Sequence, residues 1–213
     1  MRIRPVLWVA VVIVAALAAW TGWRTLSGGE PRPGAGQTAA DLRGWLVDPV
    51  IEAPDFTLVD QHGREFRLSD QEGKAVVLFF GYTMCPDVCP TTLAQYRDVK
   101  RELGEAADGV TFVFVTVDPE RDTQERLARY VSNFDPAFVG LRGDREAMAK
   151  VWNDYGILVE RVYNPENPER YSVNHTSLSY VVDKQGRLRL VHPFGFPLED
   201  VVHDLRTLIE ERA

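Results

Sequence analysis

The chain has 213 residues and 45% hydrophobic content, enough to bury the core of one ordinary domain and too apolar for a disordered protein. A net charge of −7 argues against the basic face that nucleic-acid binding needs. Two cysteines are too few for a disulfide scaffold or an all-thiolate metal site, but enough for one redox pair or part of a metal site.

Arg2 and Arg4 precede an uncharged run, PVLWVAVVIVAALAAWTGW, at residues 5–23. As a helix, its ~19 residues span roughly 28 Å, close to the hydrocarbon core of a bilayer. Trp8, Trp20 and Trp23 stand near its ends, as interfacial aromatics do, and the leading arginines put the N-terminus on the cytoplasmic side. Ala16-Leu17-Ala18 could serve as a signal-peptide cleavage site, but the run is long for a signal core and continues past it. Residues 1–24 therefore read as an uncleaved transmembrane anchor. Residues 25–50, which include the Gly- and Pro-rich stretch SGGEPRPGAGQ, read as flexible linker, with a short helical arm over 41–50 as the alternative.

The folded domain is expected over residues 51–213. Residues 56–59 and 65–68 flank Asp60-Gln61-His62-Gly63, a hairpin with glycine in the turn. VVLFF at 76–80 reads as a buried strand. Leu93, Tyr96, Val99 and Leu103 have helical spacing over residues 91–103, and Gly104 is the stop. VTFVFVTV at 110–117 is a second buried strand, ended by Asp118-Pro119. A helix follows Thr123, a short strand covers 138–141, and Ala147, Met148, Val151, Trp152 and Tyr155 space like another helix. Residues 158–162 are a short strand, and 163–173, with Pro165 and Pro168, a polar loop. Strands at 177–182 and 188–192 are joined by Asp183-Lys184-Gln185-Gly186, and Val201, Val202, Leu205, Leu208 and Ile209 make the stripe of a C-terminal helix. This order predicts an α/β fold whose sheet is half parallel and half antiparallel.

Both thiols fall where the first buried strand meets its helix, bracketed by Pro86 and Pro90. A helix N-terminus favours thiolate, the form that binds metals or attacks disulfides. A thiol pair on this junction is the thioredoxin arrangement, here with an N-terminal β-hairpin extension. On a helix, residues four apart have Cβ atoms ~5–6 Å from one another. That is far for a disulfide, which wants ~3.8 Å, yet close enough for two sulfurs to share one metal. In a loop a disulfide is also allowed, so the spacing admits both uses.

Three blocks, GYTMCPDVCP (81–90), VDPERDT (117–123) and VNHTSLSYVVDKQGRL (173–188), resemble the SCO/SenC proteins in sequence, order and spacing. The similarity covers residues 51–212. Those proteins are membrane-anchored, thioredoxin-fold copper proteins that help assemble the copper centre of cytochrome c oxidase. The resemblance implies copper, as Cu(I) or Cu(II), held by Cys85, Cys89 and His175. It also implies a metallochaperone serving the copper-site subunit of the oxidase, with other copper chaperones or thiol oxidoreductases as further partners. The expected location is the bacterial cytoplasmic membrane, with a single span and the soluble domain on the periplasmic side. Asn174 stands where the family often has an acid, and Tyr82 where it often has Phe.

The residues can be weighed on their own chemistry as well. Soft thiolates select Cu(I), and imidazole suits copper in both oxidation states. Two cysteines leave copper short of ligands. Of the four histidines, His62 sits in a hairpin turn, His203 on the polar side of the last helix and His192 at a strand end. His175 precedes the strand at 177–182, where a thioredoxin fold faces its cysteine pair and normally carries a cis-proline. Asp118 lies on the same sheet edge as the cysteines and reads either as a group orienting a ligand or as a turn residue before Pro119. Arg121 and Asp122 read as capping or surface charges, Asp87 as a helix cap or partner contact. Membrane-anchored thiol–disulfide oxidoreductase is the alternative function. Ala53-Pro54-Asp55-Phe56 suggests a peroxiredoxin-like peroxidase, but Tyr82 occupies the place where that chemistry needs Thr or Ser. A structural zinc site wants four protein ligands where three are evident.

Overall fold

A computed structural model describes residues 41–211. The expected anchor, residues 1–24, and the linker as far as residue 40 lie outside the described residues. Among the described residues no helix is long and apolar enough to cross a membrane. The chain runs β1 (Trp45–Glu52), β2 (Thr57–Asp60), β3 (Glu65–Arg67), β4 (Ala75–Gly81), α1 (Val88–Leu103), β5 (Val110–Thr116), α2 (Gln124–Ser132), β6 (Val139–Arg142) and α3 (Arg145–Asp154). It continues through β7 (Val159–Asn164), β8 (Asn167–His175), β9 (Leu178–Val182), β10 (Arg187–Pro193) and α4 (Leu198–Glu210).

Eight strands form one sheet in the order β1-β10-β9-β4-β5-β6-β2-β3, while β7 and β8 pair only with each other. β4, β5 and β6 are parallel; the remaining pairs are antiparallel. The expected mix of parallel and antiparallel halves is therefore present. β4 is buried along its whole length, as a central strand covered on both faces must be. Its alternation sorts the core into two layers. Phe79 meets Tyr96 of α1, while Phe80 meets Tyr155 and Tyr180 on the other face. β9 runs antiparallel to β4 with Phe79 opposite Ser179, so the residues entering β9 arrive where β4 ends.

Two turns share one device. In Asp60-Gln61-His62-Gly63-Arg64 the carboxylate accepts the N–H groups of His62 (2.8 Å) and Arg64 (2.9 Å), and Arg64 Nε donates to Oδ2 (2.8 Å). In Asp183-Lys184-Gln185-Gly186-Arg187 the carboxylate accepts from Gln185 N (3.0 Å), Arg187 N (3.0 Å) and Arg187 Nε (2.9 Å). Gly63 (φ 81°) and Gly186 (φ 77°) occupy the left-handed conformation each turn requires.

The structure corrects three expectations. Residues 45–50 are not linker: β1 pairs with β10, Trp45 opposite Val191 and Ile51 opposite Leu188. As an edge strand with Trp45, Leu46, Val50 and Ile51 exposed, it shows no inside–outside alternation to read. The stretch at 163–173 is not a loop but mostly β8, whose Tyr171 pairs with Tyr163 of β7. A hairpin with little buried surface has no hydrophobic period. Finally, α1 begins at Val88, which puts Cys89 and Pro90 inside its first turn.

Candidate metal centre

β4 ends at Gly81, and the chain turns with Cys85 N–H donating to Tyr82 O (3.1 Å). Cys85 lies in this turn, half-buried; Cys89 follows in the first turn of α1, fully buried. Both thiols are free. Gly81 is required by packing: a Cβ there would lie 2.8 Å from Cys89 Sγ and 2.8 Å from the Phe114 ring. His175 closes the third side from the end of β8. Its Nε2 is 3.7 Å from Cys89 Sγ, and the ligand atoms of Cys85, Cys89 and His175 all lie within 4.8 Å of one another. The opposite ring nitrogen, Nδ1, is 3.0 Å from Thr176 O. A carbonyl only accepts, so Nδ1 carries the proton and Nε2 presents its lone pair to the sulfurs. Tyr82 (5.9 Å between centroids) and Phe79 (6.4 Å) meet the imidazole edge-on and fix its plane.

The thiols are electrostatically unequal. The Cys89 thiol donating to Cys85 holds Cys85 far below the ordinary thiol range. The backbone N–H groups of Cys89 and Asp87 act in the same direction, against partial burial. Cys89 is pushed up by that same pairing and by its burial. Cys85 is therefore already a thiolate, and metal binding removes the one remaining proton, from Cys89.

Asp118 is fully buried at the end of β5. It pairs with Arg121, accepts the Tyr171 hydroxyl (2.8 Å) and lies 3.8 Å from Arg161; its side-chain contacts are with these groups and not with the thiols or His175. Asp122, expected as a capping or surface charge, is fully buried as well. It accepts from Thr83 N (3.1 Å), Thr83 Oγ1 (2.6 Å) and Thr116 Oγ1 (2.6 Å), bracing the turn that carries Cys85. Burial raises its carboxyl above the usual range. Arg121, likewise expected as a surface charge, lies 3.6 Å over the Tyr171 ring. The one available sequence signal was four charged residues within Asp118–Asp122, directly after a mostly apolar strand. Among the other histidines, His192 is buried against Asp204 (2.8 Å), His203 reaches Asp41 O (2.9 Å) and His62 is exposed; none joins the cysteine cluster. Asp87 takes the N-cap position, and Tyr82 OH accepts from Val173 N–H (3.4 Å).

The family model described as SCO1/SenC matches residues 48–210. This chain belongs to the SCO1/SenC family. An SCO2-like protein of Rickettsia prowazekii is 36% identical over 140 residues, covering 66% of this chain and 68% of that relative. ScoI of Bradyrhizobium japonicum, solved with copper bound, is 37% identical with a TM-score of 0.68, covering 74% of this chain and 99% of that one. Apo Sco1 of Thermus thermophilus is 38% identical with a TM-score of 0.70, covering 78% and 96% respectively. The mixed α/β fold is thus the thioredoxin-like fold of the SCO1/SenC proteins. In this member the donor set fits copper: two sulfurs and one imidazole, already converging, with the imidazole in the metal-binding tautomer.

Proposed function

We propose that the protein binds copper through Cys85, Cys89 and His175 and delivers it to the copper-site subunit of cytochrome c oxidase during assembly. The observation that carries this reading is the His175 imidazole, whose Nε2 faces the thiols while Nδ1 is tied to Thr176 O. A thiol–disulfide reaction alone needs no imidazole in that place. Family membership and the copper-bound relative support the choice of metal. Residues 1–24 serve as the membrane anchor, and the folded domain works on the periplasmic side, where an oxidase copper site is loaded.

Thiol–disulfide exchange is the second reading, favoured by the unequal thiols. The Cys85 thiolate attacks a client disulfide and releases one client thiolate. Cys89, once deprotonated, then attacks the Cys85 sulfur of the mixed disulfide and releases the second. Two electrons pass to the client and Cys85–Cys89 becomes the disulfide. The two uses are compatible, because a client's thiols must be reduced before they take copper.

His175→Ala separates them. The variant should fold and exchange disulfides normally. Its copper affinity should fall, for Cu(II) most of all, since nitrogen donors suit that ion. It should also fail to support oxidase assembly. A variant that binds both copper ions like wild type and supports assembly would remove the three-ligand site and leave the reductase reading.

A further inference from the structure

We propose that Arg121, held between Asp118 and Tyr171, latches the β7–β8 hairpin to the domain and thereby sets where His175 lies over the thiols. This rests on the copper-site reading above. The hairpin is a two-stranded sheet with no ladder to the main one. His175 is the last residue of β8, so the third donor goes where the hairpin goes. At the hairpin base, Leu158 N–H donates to Thr176 Oγ1 (3.1 Å) and Thr176 N–H to Leu158 O (3.3 Å). Those bonds close the hairpin on itself. Among its described side chains only Val173 is buried, so apolar packing gives it little hold.

The polar hold converges on Tyr171. Arg121 Nη1 donates to Tyr171 O (2.7 Å), the guanidinium stacks 3.6 Å over the ring, and Tyr171 OH donates to Asp118 Oδ1 (2.8 Å). Arg121 Nε closes the triangle on Asp118. Arg161 of β7 adds a second cation 5.1 Å from the same ring and pairs with Glu120 (2.7 Å). From Arg121 the contacts continue to the Tyr82 ring (5.8 Å), whose hydroxyl accepts Val173 N–H and whose ring meets His175. The route from Asp118 to the imidazole passes through neither cysteine. Arg121 Nη2 is buried without a hydrogen-bond partner among the described residues. The latch is therefore incompletely satisfied, and it closes by a smaller margin than a saturated network would. Arg121 is thus a positioning residue: it acts on copper only through His175.

The test is a double-mutant cycle in the full chain, reduced and anaerobic, titrated with Cu(I) and Cu(II) alone. Arg121→Ala should weaken copper binding by about tenfold, as loss of a group that orients a ligand typically does. In a His175→Ala background the same change should cost no further affinity. In the metal-free protein, amide hydrogen exchange at Val173, Asn174 and His175 should quicken while β4 and β5 stay protected. Tyr171→Phe keeps the ring and removes only the hydroxyl bond, so it should show the same pattern in smaller measure, and it carries the test if Arg121→Ala does not fold. Unchanged affinity, or an equal loss with and without His175, would overturn the latch. If His175→Ala itself leaves copper binding intact, the copper-site reading fails instead, and exchange in the metal-free protein still judges the latch.

Discussion

Cys85 and Cys89 are chemically alike and are made different by position. Cys89 is fully buried against Gly81, while Cys85 is half open to solvent and accepts the N–H of Cys89 (3.4 Å). The Cys85 thiol is held down to about 3, chiefly by the Cys89 thiol donating to it. In the reduced, metal-free protein, iodoacetamide should therefore modify Cys85 first. The rate should stay nearly constant from about pH 8 to about pH 5, because the pH remains above the pKa throughout and the thiolate fraction does not change. Peptide mass spectrometry against pH checks this. A rate falling tenfold per pH unit, as for an ordinary thiol of pKa ~8.5, would refute the assignment. The cysteine pair was legible as a site because its chemistry lies in adjacent residues. Their inequality was not, because it arises from a fold-dependent hydrogen bond and from the burial of one sulfur.

Among the elements, β1 is anchored at its start by a single side chain. The buried carboxylate of Asp204 on α4 accepts Arg43 N–H (2.7 Å), Gly44 N–H (2.9 Å) and His192 Nε2 (2.8 Å). His192 is thus part of the clamp that docks the N-terminal strand. Gly44 is needed there, since a Cβ would meet the His192 ring at 2.8 Å. Asp204→Ala should lower stability by about 3 kcal/mol, because it leaves buried donors unpaired. Denaturant midpoints would measure it, and hydrogen exchange should show β1 loosening while the cysteine end of β4 is unaffected. An unchanged midpoint would mean that pairing with β10 alone holds β1.

Across the whole molecule, acid should act through the two matched turns near opposite ends of the sheet. Burial raises the Asp60 and Asp183 carboxyls, but their backbone N–H and arginine partners more than offset it, so both lie below 3.8. A folded pKa below the unfolded one gives stability that is present above about pH 4 and is lost as pH falls through the folded value. Asp183 also holds Arg189 (2.9 Å), which reaches Glu211 beyond α4 (2.7 Å), so its charge ties a turn to the far end of the chain. Asp183→Asn should be less stable than wild type at pH 7, with the difference shrinking as pH is lowered below about 4. Thermal unfolding across that range checks the sign; a difference that grew in acid would contradict it.

The sequence by itself determined whatever depends on near neighbours. VVLFF, the stripe of α1, the Asp-x-x-Gly-Arg turns and the cysteine pair carry their physics within a few residues. The thioredoxin arrangement then placed His175 at the cysteine edge, because in that fold the turn before the strand at 177–182 faces the cysteine pair, and the antiparallel pairing of β9 with β4 puts it there. Only the tertiary structure decided the rest. β1 and β8 have no regular apolar face, so their pairing leaves no alternation in the chain. Arg121 and Asp122 look like capping or surface charges, and Asp118 like a turn residue or a ligand-orienting group, until their partners arrive. Tyr171 lies 50 residues beyond Arg121 and 53 beyond Asp118, and Thr83 lies 39 before Asp122. Burying a charge depends on partners that only folding assembles, and no local pattern records them.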